Sequence, residues 1–565
     1  MSRPPPGLAE RVASAAAWNT LLFPARMIVG LVANVLLFNF LAPAEYGVLA
    51  LLTGLAATIG VYADPGIERS LPRFIPEVEQ RAGRAGVARF MVRIVAIKIA
   101  IVLVCIALLA LFSSPLVAYV ASNERQQIAT LAEQAEALRA TGADAAAVAV
   151  ADAALERQQQ LVAQIEQRGL LFLAAVATLV FFGALYDVAM QFLTAYFKQR
   201  AWNIVTIVVT LIQPLLIIAL LLLGWGLSGV LLGMVITPVV AVLLAGRQSL
   251  MAARELPLAT ADAVPDPGLA GRFARFAGVS YFIQVTTWFY DVQFLTFVLY
   301  GLGMPLEAVA LLAFAYKFAK DYLGYAYIPF SGVVTPLLAR IKGRDDAAAL
   351  QEAYGGLTRI FALILIPAGV GLALLASRLL DLLYPQYTEA IVLIYLLIGF
   401  TFLESLISVP HNVLMVYERY RPVIIARILA LVSVPLLLLL VPGFGLIGAA
   451  LAVGLARILS RLVGLGYVRR VMGLHLPWRF LVRVSGAAAI FAIPLLLLLP
   501  YWPLPATAGG FAGKALAALS LLVLGAIAAA GYLVALRLLG GIDESERRRI
   551  MALKLPFKQI LARIL

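Results

Sequence analysis

Cysteine and histidine are almost missing from this chain, and charge is scarce. Cys105 is the only cysteine, which excludes an intramolecular disulfide and any cysteine-built metal cluster. The two histidines, His411 and His475, stand too far apart for a zinc motif. A phosphate-cradling glycine loop, a serine nucleophile elbow and a kinase signature are all lacking. These absences argue against an enzyme and against a bound metal or other cofactor. Only 13% of the residues are charged, too few to coat a soluble chain of this length.

Apolar sequence fills the space that charge leaves. The chain is 63% hydrophobic with a mean hydropathy of +0.97, more apolar surface than a soluble core could hide. The bilayer is therefore the expected solvent. Backbone groups in hydrocarbon must bond within their own segment, so the long unalternating runs predict helices rather than strands. Twelve are expected at about 18–40, 44–63, 88–112, 169–195, 202–223, 225–246, 276–300, 305–329, 356–376, 387–415, 421–441 and 444–467. Two more are expected at about 480–500 and 512–538.

The excess of 44 Lys and Arg over 30 Asp and Glu gives a net charge of +14. Positive residues stay with cytoplasmic loops, and by position about 34 of the 44 fall at one side of the predicted spans. Arg69, Arg73, Arg81 and Arg84, then Arg340, Lys342 and Arg344, then Arg469, Arg470 and Arg479 mark that side. Both termini are expected in the cytoplasm. The charge is thereby accounted for without nucleic acid.

Two pairs of phrases suggest duplication. Gly224-Trp225-Gly226-Leu227-Ser228-Gly229 and Gly443-Phe444-Gly445-Leu446-Ile447-Gly448 each open an apolar run, and Pro43-Ala44-Glu45 and Pro305-Leu306-Glu307 each sit between two such runs. The marks are about 181 residues apart in the first half and about 138 in the second. A polar block at 122–168 supplies the difference. Its three-four spacing, Ile128, Leu131, Ala135 and Leu138 before Thr141-Gly142 and Val148, Ala151, Leu155, Val162 and Ile165 after it, predicts a helical hairpin. The expected organisation is a cytoplasmic segment 1–17, an N-lobe 18–246 carrying the extracytoplasmic insertion 122–168, and a cytoplasmic linker 247–275. A C-lobe 276–467, two further helices in 480–538 and a cytoplasmic amphipathic basic tail 543–565 complete it. The hairpin is either an inert spacer or a docking element for a polymerase or another envelope protein.

Charges inside predicted spans cost about 2.5–3.5 kcal/mol each on insertion scales, so they mark cavities or partners. They are Arg26, Lys98, Asp187, Asp291, Lys317, Lys320, Asp321 and Glu404. Lys317 and Asp321 share a helix face and can neutralise each other. Lys320 has no acid at that spacing on its own helix and is the first candidate for a cavity cation. Two roles are open to Arg26: snorkelling to the inner interface or holding an anion. Lys98 suits pairing with an acid of a neighbouring segment. Asp187, Asp291 and Glu404 suit either a coupling cation or, protonated, a structural hydrogen bond. Gln191, Gln284, Trp288, Gln293 and Tyr316 offer hydrogen bonds and flat faces to a sugar.

Some phrases are familiar. Phe40-Leu41-Ala42-Pro43-Ala44-Glu45-Tyr46-Gly47 and Asp64-Pro65-Gly66-Ile67-Glu68-Arg69-Ser70 resemble the first hairpin of polysaccharide-biosynthesis flippases, the Wzx-type O-antigen transporters. Leu383-Tyr384-Pro385-Gln386-Tyr387-Thr388-Glu389-Ala390 and Pro442 to Ala450 are similar to later family patterns. The resemblance covers about residues 15–470 and extends to the wider superfamily (MOP) that also holds lipid II flippases and multidrug and toxin extrusion (MATE) antiporters. It implies an all-α polytopic membrane protein of about 14 transmembrane helices, MATE/MOP-like, in two pseudo-symmetric six-helix lobes plus two C-terminal helices, working by alternating access around a central cavity. The implied substrate is an undecaprenyl-pyrophosphate-linked oligosaccharide, moved from inner to outer leaflet among membrane lipids. Arg26, Lys317 and Lys320 would meet the pyrophosphate, and proton, sodium or the membrane potential would couple the cycle. A lipid II flippase, a cation-coupled drug antiporter and a non-transporting envelope scaffold are the alternatives.

Overall fold

The computed structural model describes residues 27–142, 144–196, 198–256, 268–342, 346–502 and 510–540. Arg26, the segment 1–17, most of the linker at 257–267 and the tail 543–565 lie outside them. All regular structure among the described residues is helical. The chain divides into two compact units, one ending at Ala313 and the other beginning at Phe314.

The first unit holds α1 (Met27–Phe40), α2 (Pro43–Tyr62), α3 (Ile67–Leu111), α4 (Ser113–Ala140), α5 (Ala145–Ala195), α6 (Gln199–Leu222), α7 (Gly226–Arg254), α8 (Leu269–Trp288), α9 (Val292–Gly301) and the start of α10 (Leu306–Lys342). Pro43 suits the first turn of α2, where no amide bond is lost, and the Glu45 carboxylate accepts the Ala42 amide at 3.0 Å. Leu71 and Ile75 of α3, Val188 and Leu193 of α5, Val205 of α6 and Ala245 of α7 form one buried core.

α3 is two limbs rather than one rod. Thirty residues of straight helix span about 45 Å, yet the Lys98 ammonium donates to the Glu68 carboxylate at 2.6 Å. The chain must reverse between them. Gly83 makes the reversal in a positive-φ conformation (φ 55°, ψ −162°) closed to most side chains.

α5 has 51 residues, about 77 Å of helix against a hydrocarbon core of about 30 Å. Its first half therefore projects from the bilayer and pairs with α4. Ala135, Leu161, Val162 and Ile165 are buried in the seam, Arg139 meets Asp152 at 2.6 Å across it, and Gln158 donates to Glu124 at 2.7 Å.

The second unit holds the rest of α10, α11 (Ala347–Leu383), a 3-10 turn (Pro385–Ala390), α12 (Ile391–Leu406), α13 (Val409–Val416), α14 (Tyr420–Ala430), α15 (Ser433–Val471), α16 (Trp478–Leu498) and α17 (Gly510–Leu538). One core gathers α11, α13 and α15 around Tyr354, Val413 and Val468. A second packs α16 and α17 onto α11 through Val484, Leu524 and Ile366.

The matched glycine phrases make matching turns, each inside its own unit. The third residue of each, Gly226 and Gly445, has φ 52° and 53°. The sixth, Gly229 and Gly448, is where the helices touch. A Cβ at Gly229 would lie 2.7 Å from Cβ of Trp225 and 3.1 Å from Cβ of Leu220. At Gly448 it would meet the Leu440 carbonyl oxygen at 2.3 Å.

Ten described stretches are long and apolar enough to cross a membrane. One of them, Tyr420–Val471, contains the two expected segments that meet at Gly445. Expected segment 18–40 is described as the shorter Met27–Phe40. Expected segment 276–300 is broken into α8 and α9 at 289–291, and 305–329 lies on α10.

Candidate functional site: a carboxylate–lysine cavity and an arginine cluster

Each unit carries a cluster of charges within its apolar helices. In the first, Lys98 on α3 is 1% exposed. Its ammonium lies 3.2 Å from Asp64 and 2.6 Å from Glu68. Asp64 lies in the short link between α2 and α3 and also accepts the Glu68 amide at 3.3 Å. Its other carboxylate oxygen, Oδ2, is buried with no hydrogen-bond partner. Glu68, Lys98, Asp187 and Gln284 line a cavity of about 350 Å³, where Gly60 and Gly183 leave space that side chains would fill. Three acids face one base.

The second unit has the opposite balance. Arg457 and Arg461 are four residues apart on α15 and so share a face. Both reach Glu404 of α12, Arg461 at 2.9 Å and Arg457 at 3.3 Å. Arg457 also donates to the hydroxyl of buried Tyr316 and lies 4.9 Å from its ring centre. Lys320 approaches that ring at 5.5 Å and is itself exposed. Lys320, Arg457 and Arg461 against Glu404 leave a formal excess of two positive charges. His411 of α13 stands in the field of Arg461 and Glu404.

Similarity to known proteins follows this architecture. A family profile described as polysaccharide biosynthesis protein matches residues 158–392. The solved structure of a lipid II flippase, MurJ, in an inward closed conformation aligns at a TM-score of 0.60 with 14% identity, over 90% of this chain and 98% of that one. A multidrug resistance MATE family transporter of the MOP superfamily, inward-facing, aligns at 0.50 with 15% identity, over 79% and 94%. Among curated proteins no sequence match reaches significance. The chain therefore shares the fold of these two structures. Its ten long apolar helices are those of a multi-pass membrane protein.

Within this fold the expected site residues are scattered. Arg26 is outside the described residues. Lys317 forms an ion pair with Asp321 at 2.8 Å, so its charge is already matched. Glu404, expected as an ion-coupling group, is held by two guanidiniums, which leaves no open carboxylate for a coupling cation. Asp291 caps α9: its carboxylate accepts the Val292 amide at 2.7 Å and, with the amide of Gln293 turned toward it, a second bond at 2.7 Å. Trp288 donates its indole N–H to Thr58 at 3.1 Å and packs edge-on against Phe294, so both its polar and flat parts are in use. Tyr316 belongs to the arginine cluster, and Gln284 and Asp187 to the lysine cavity. Gln191 is half-buried on α5.

Four residues of these clusters are not among the charges that the predicted spans single out. Arg457 and Arg461 fall within the predicted span 444–467, and their spacing of four was the available signal. Asp64 and Glu68 entered only as part of a family phrase. Their burial depends on the reversal at Gly83, which no local pattern announces.

Proposed function

We propose that this chain is a transporter of the MOP superfamily, which moves an undecaprenyl-pyrophosphate-linked oligosaccharide from the inner to the outer leaflet of a bacterial inner membrane by alternating access, with both termini cytoplasmic. The observation that carries this reading is the basic cluster of Lys320, Arg457 and Arg461 on apolar helices. A pyrophosphate entering the membrane loses its water, and guanidinium groups replace those hydrogen bonds in paired, charge-assisted form. Two arginines on one face, steadied by a single Glu404, are arranged for that. The polysaccharide-biosynthesis profile supports a glycan attached to the lipid. This assignment moves the anion site from Arg26, Lys317 and Lys320 to Arg457, Arg461 and Lys320.

An inside-negative potential drives anions outward at about 2.3 kcal/mol per charge per 100 mV, so two phosphate charges gain roughly 4–5 kcal/mol. Ion movement resets the empty carrier, and the acidic cavity around Lys98 is its place. That same cavity favours the second reading, a cation-coupled drug antiporter. A drug-susceptibility panel on a deletion strain separates the two, since only the antiporter would alter susceptibility.

Reconstituted vesicles carrying a labelled lipid-linked oligosaccharide test the main reading. Replacing Arg457 or Arg461 with Gln removes charge-assisted bonds of about 1.5–3 kcal/mol, roughly a 10- to 150-fold loss in transport at limiting substrate. Wild-type flipping in both variants would refute the assignment. Deleting 122–168 distinguishes a scaffold, which would need the hairpin and tolerate both arginine changes.

A further inference from the structure

We infer that Asp64, Glu68 and Asp187 around Lys98 form a proton-binding site, in which the lysine occupies the position that a metal ion would need. The inference rests on the coupled-transport reading and names its ion and its residues.

The charge balance comes first. Three carboxylates and one ammonium would carry a net charge of minus two if all were ionised. Like charges a few ångströms apart in a low-dielectric setting cannot all persist, and the cheapest relief is a proton on one oxygen. Lys98 is 1% exposed and Asp64 is 2% exposed, so bulk water does not solvate the charge on Asp64. The buried Oδ2 of Asp64 has no hydrogen-bond partner. An uncompensated negative charge on that atom is the most costly form of the site, and protonation removes it.

The identity of the ion follows from what already fills the cluster. The ammonium bridges Asp64 and Glu68 at 3.2 and 2.6 Å, leaving no gap between these carboxylates for sodium. Among the described residues no group of three or more His, Cys, Asp or Glu is arranged to hold a metal ion. A proton needs only an oxygen lone pair and a path, and the 350 Å³ cavity provides the path to Glu68 and Asp187. Asp187 is exposed in that cavity and interacts electrostatically with Lys98 and Asp64.

The step is proton transfer alone. An O–H bond forms on a carboxylate oxygen as one breaks on hydronium in the cavity, and the cluster passes from minus two to minus one. Lysine has four rotatable side-chain bonds, so Lys98 follows whichever carboxylate stays ionised. Among the described residues, Cys105 interacts electrostatically with Lys98, Tyr186 with Asp187, and Tyr281 with Asp64. Gln284 of α8 adds a neutral hydrogen-bonding group to the wall.

Infrared difference spectroscopy of the full chain in lipid, without any substrate, tests the site. Titration from about pH 5 to 9 should show a protonated-carboxyl band that disappears as pH rises, equivalent to about one proton per chain. Asp187→Asn and Glu68→Gln should each remove or shift it. Sodium should leave the wild-type band in place and should displace it only in Lys98→Met, where the internal cation is gone. A wild type with no titrating band, a band unchanged in both carboxylate variants, or displacement by sodium in the wild type would each overturn the proposal. If Glu68→Gln fails to fold, Asp187→Asn, on the exposed wall of the cavity, decides alone. An intact band with no flipping of labelled lipid in vesicles would sink the transport reading and leave the site standing; flipping without the band would do the reverse.

Discussion

Replacing Glu404 with Gln removes the one carboxylate that two guanidiniums share, and the cost can be worked from the distances. At 2.9 and 3.3 Å and an effective dielectric of about 20, the attraction is about 5–6 kcal/mol per pair. Desolvation takes back several kcal/mol per ion. The three side chains are only 14, 20 and 26% exposed, so water does little to screen the uncompensated arginines left behind. Glu404→Gln should therefore destabilise the protein by about 3–5 kcal/mol, the range for breaking one side of a buried pair. The double variant Glu404→Gln, Arg461→Gln should lose less than the sum of the single losses, by about 0.5–3 kcal/mol, because one unpaired charge disappears with its partner. Thermal unfolding of the purified protein in a single detergent at fixed lipid content measures all four corners of the cycle. A fully stable Glu404→Gln, or strictly additive losses, would refute the network.

Three further outcomes are expected. Lys98→Met should lower stability by about 3–5 kcal/mol because it leaves buried acids without their cation, and Lys98→Arg should restore part of the loss; equal behaviour of the two in unfolding experiments would deny the ion pair. Gly66→Ala places a Cβ 2.0 Å from the Ala277 carbonyl oxygen at φ 76°, whereas Gly142→Ala at φ 66° meets open space. The first should abolish most folded protein in a size-exclusion profile, and the second should cost only about 1–2 kcal/mol of backbone strain. Burial pushes the Glu124 carboxyl above its ordinary range, against the opposing hydrogen bond from Gln158. A raised folded-state value means that Glu124 favours the folded hairpin at low pH and that this contribution fades as pH climbs through the raised value. Glu124→Gln should flatten that dependence and stabilise the hairpin at neutral pH, read by amide exchange of α4 and α5.

Sequence pattern revealed the features written in local spacing. The hairpin seam at Ala135, Val162 and Ile165 follows the three-four rule, and the two glycine phrases encode the same turn because only glycine enters φ near 52° cheaply while letting helices touch. Lys98 was legible as a charge needing a partner. Its partner was not, since Glu68 is thirty residues away and comes back only through Gly83. Trp288 and Asp291 read as ligand groups because composition shows their chemistry and hides their commitments. The indole is used on Thr58 and the carboxylate on the start of α9.

The two clusters differ in sign, and that difference does more than either alone. A membrane-embedded site attracts the charge it lacks, because little water is present to supply it. Three acids around Lys98 leave the first unit short of positive charge; three bases around Glu404 leave the second short of negative charge. On the proposed reading, one molecule has a place for a proton and a separate place for an anion, in compact units with separate cores. If both fillings favour the same conformation, each ligand must raise the other's affinity by the same factor. An anionic lipid bound at Arg457 and Arg461 should then shift the titration of the Lys98 cavity, and a change of pH across that titration should shift anion affinity by an equal free energy. Independent titration at the two places would mean that the carrier couples nothing.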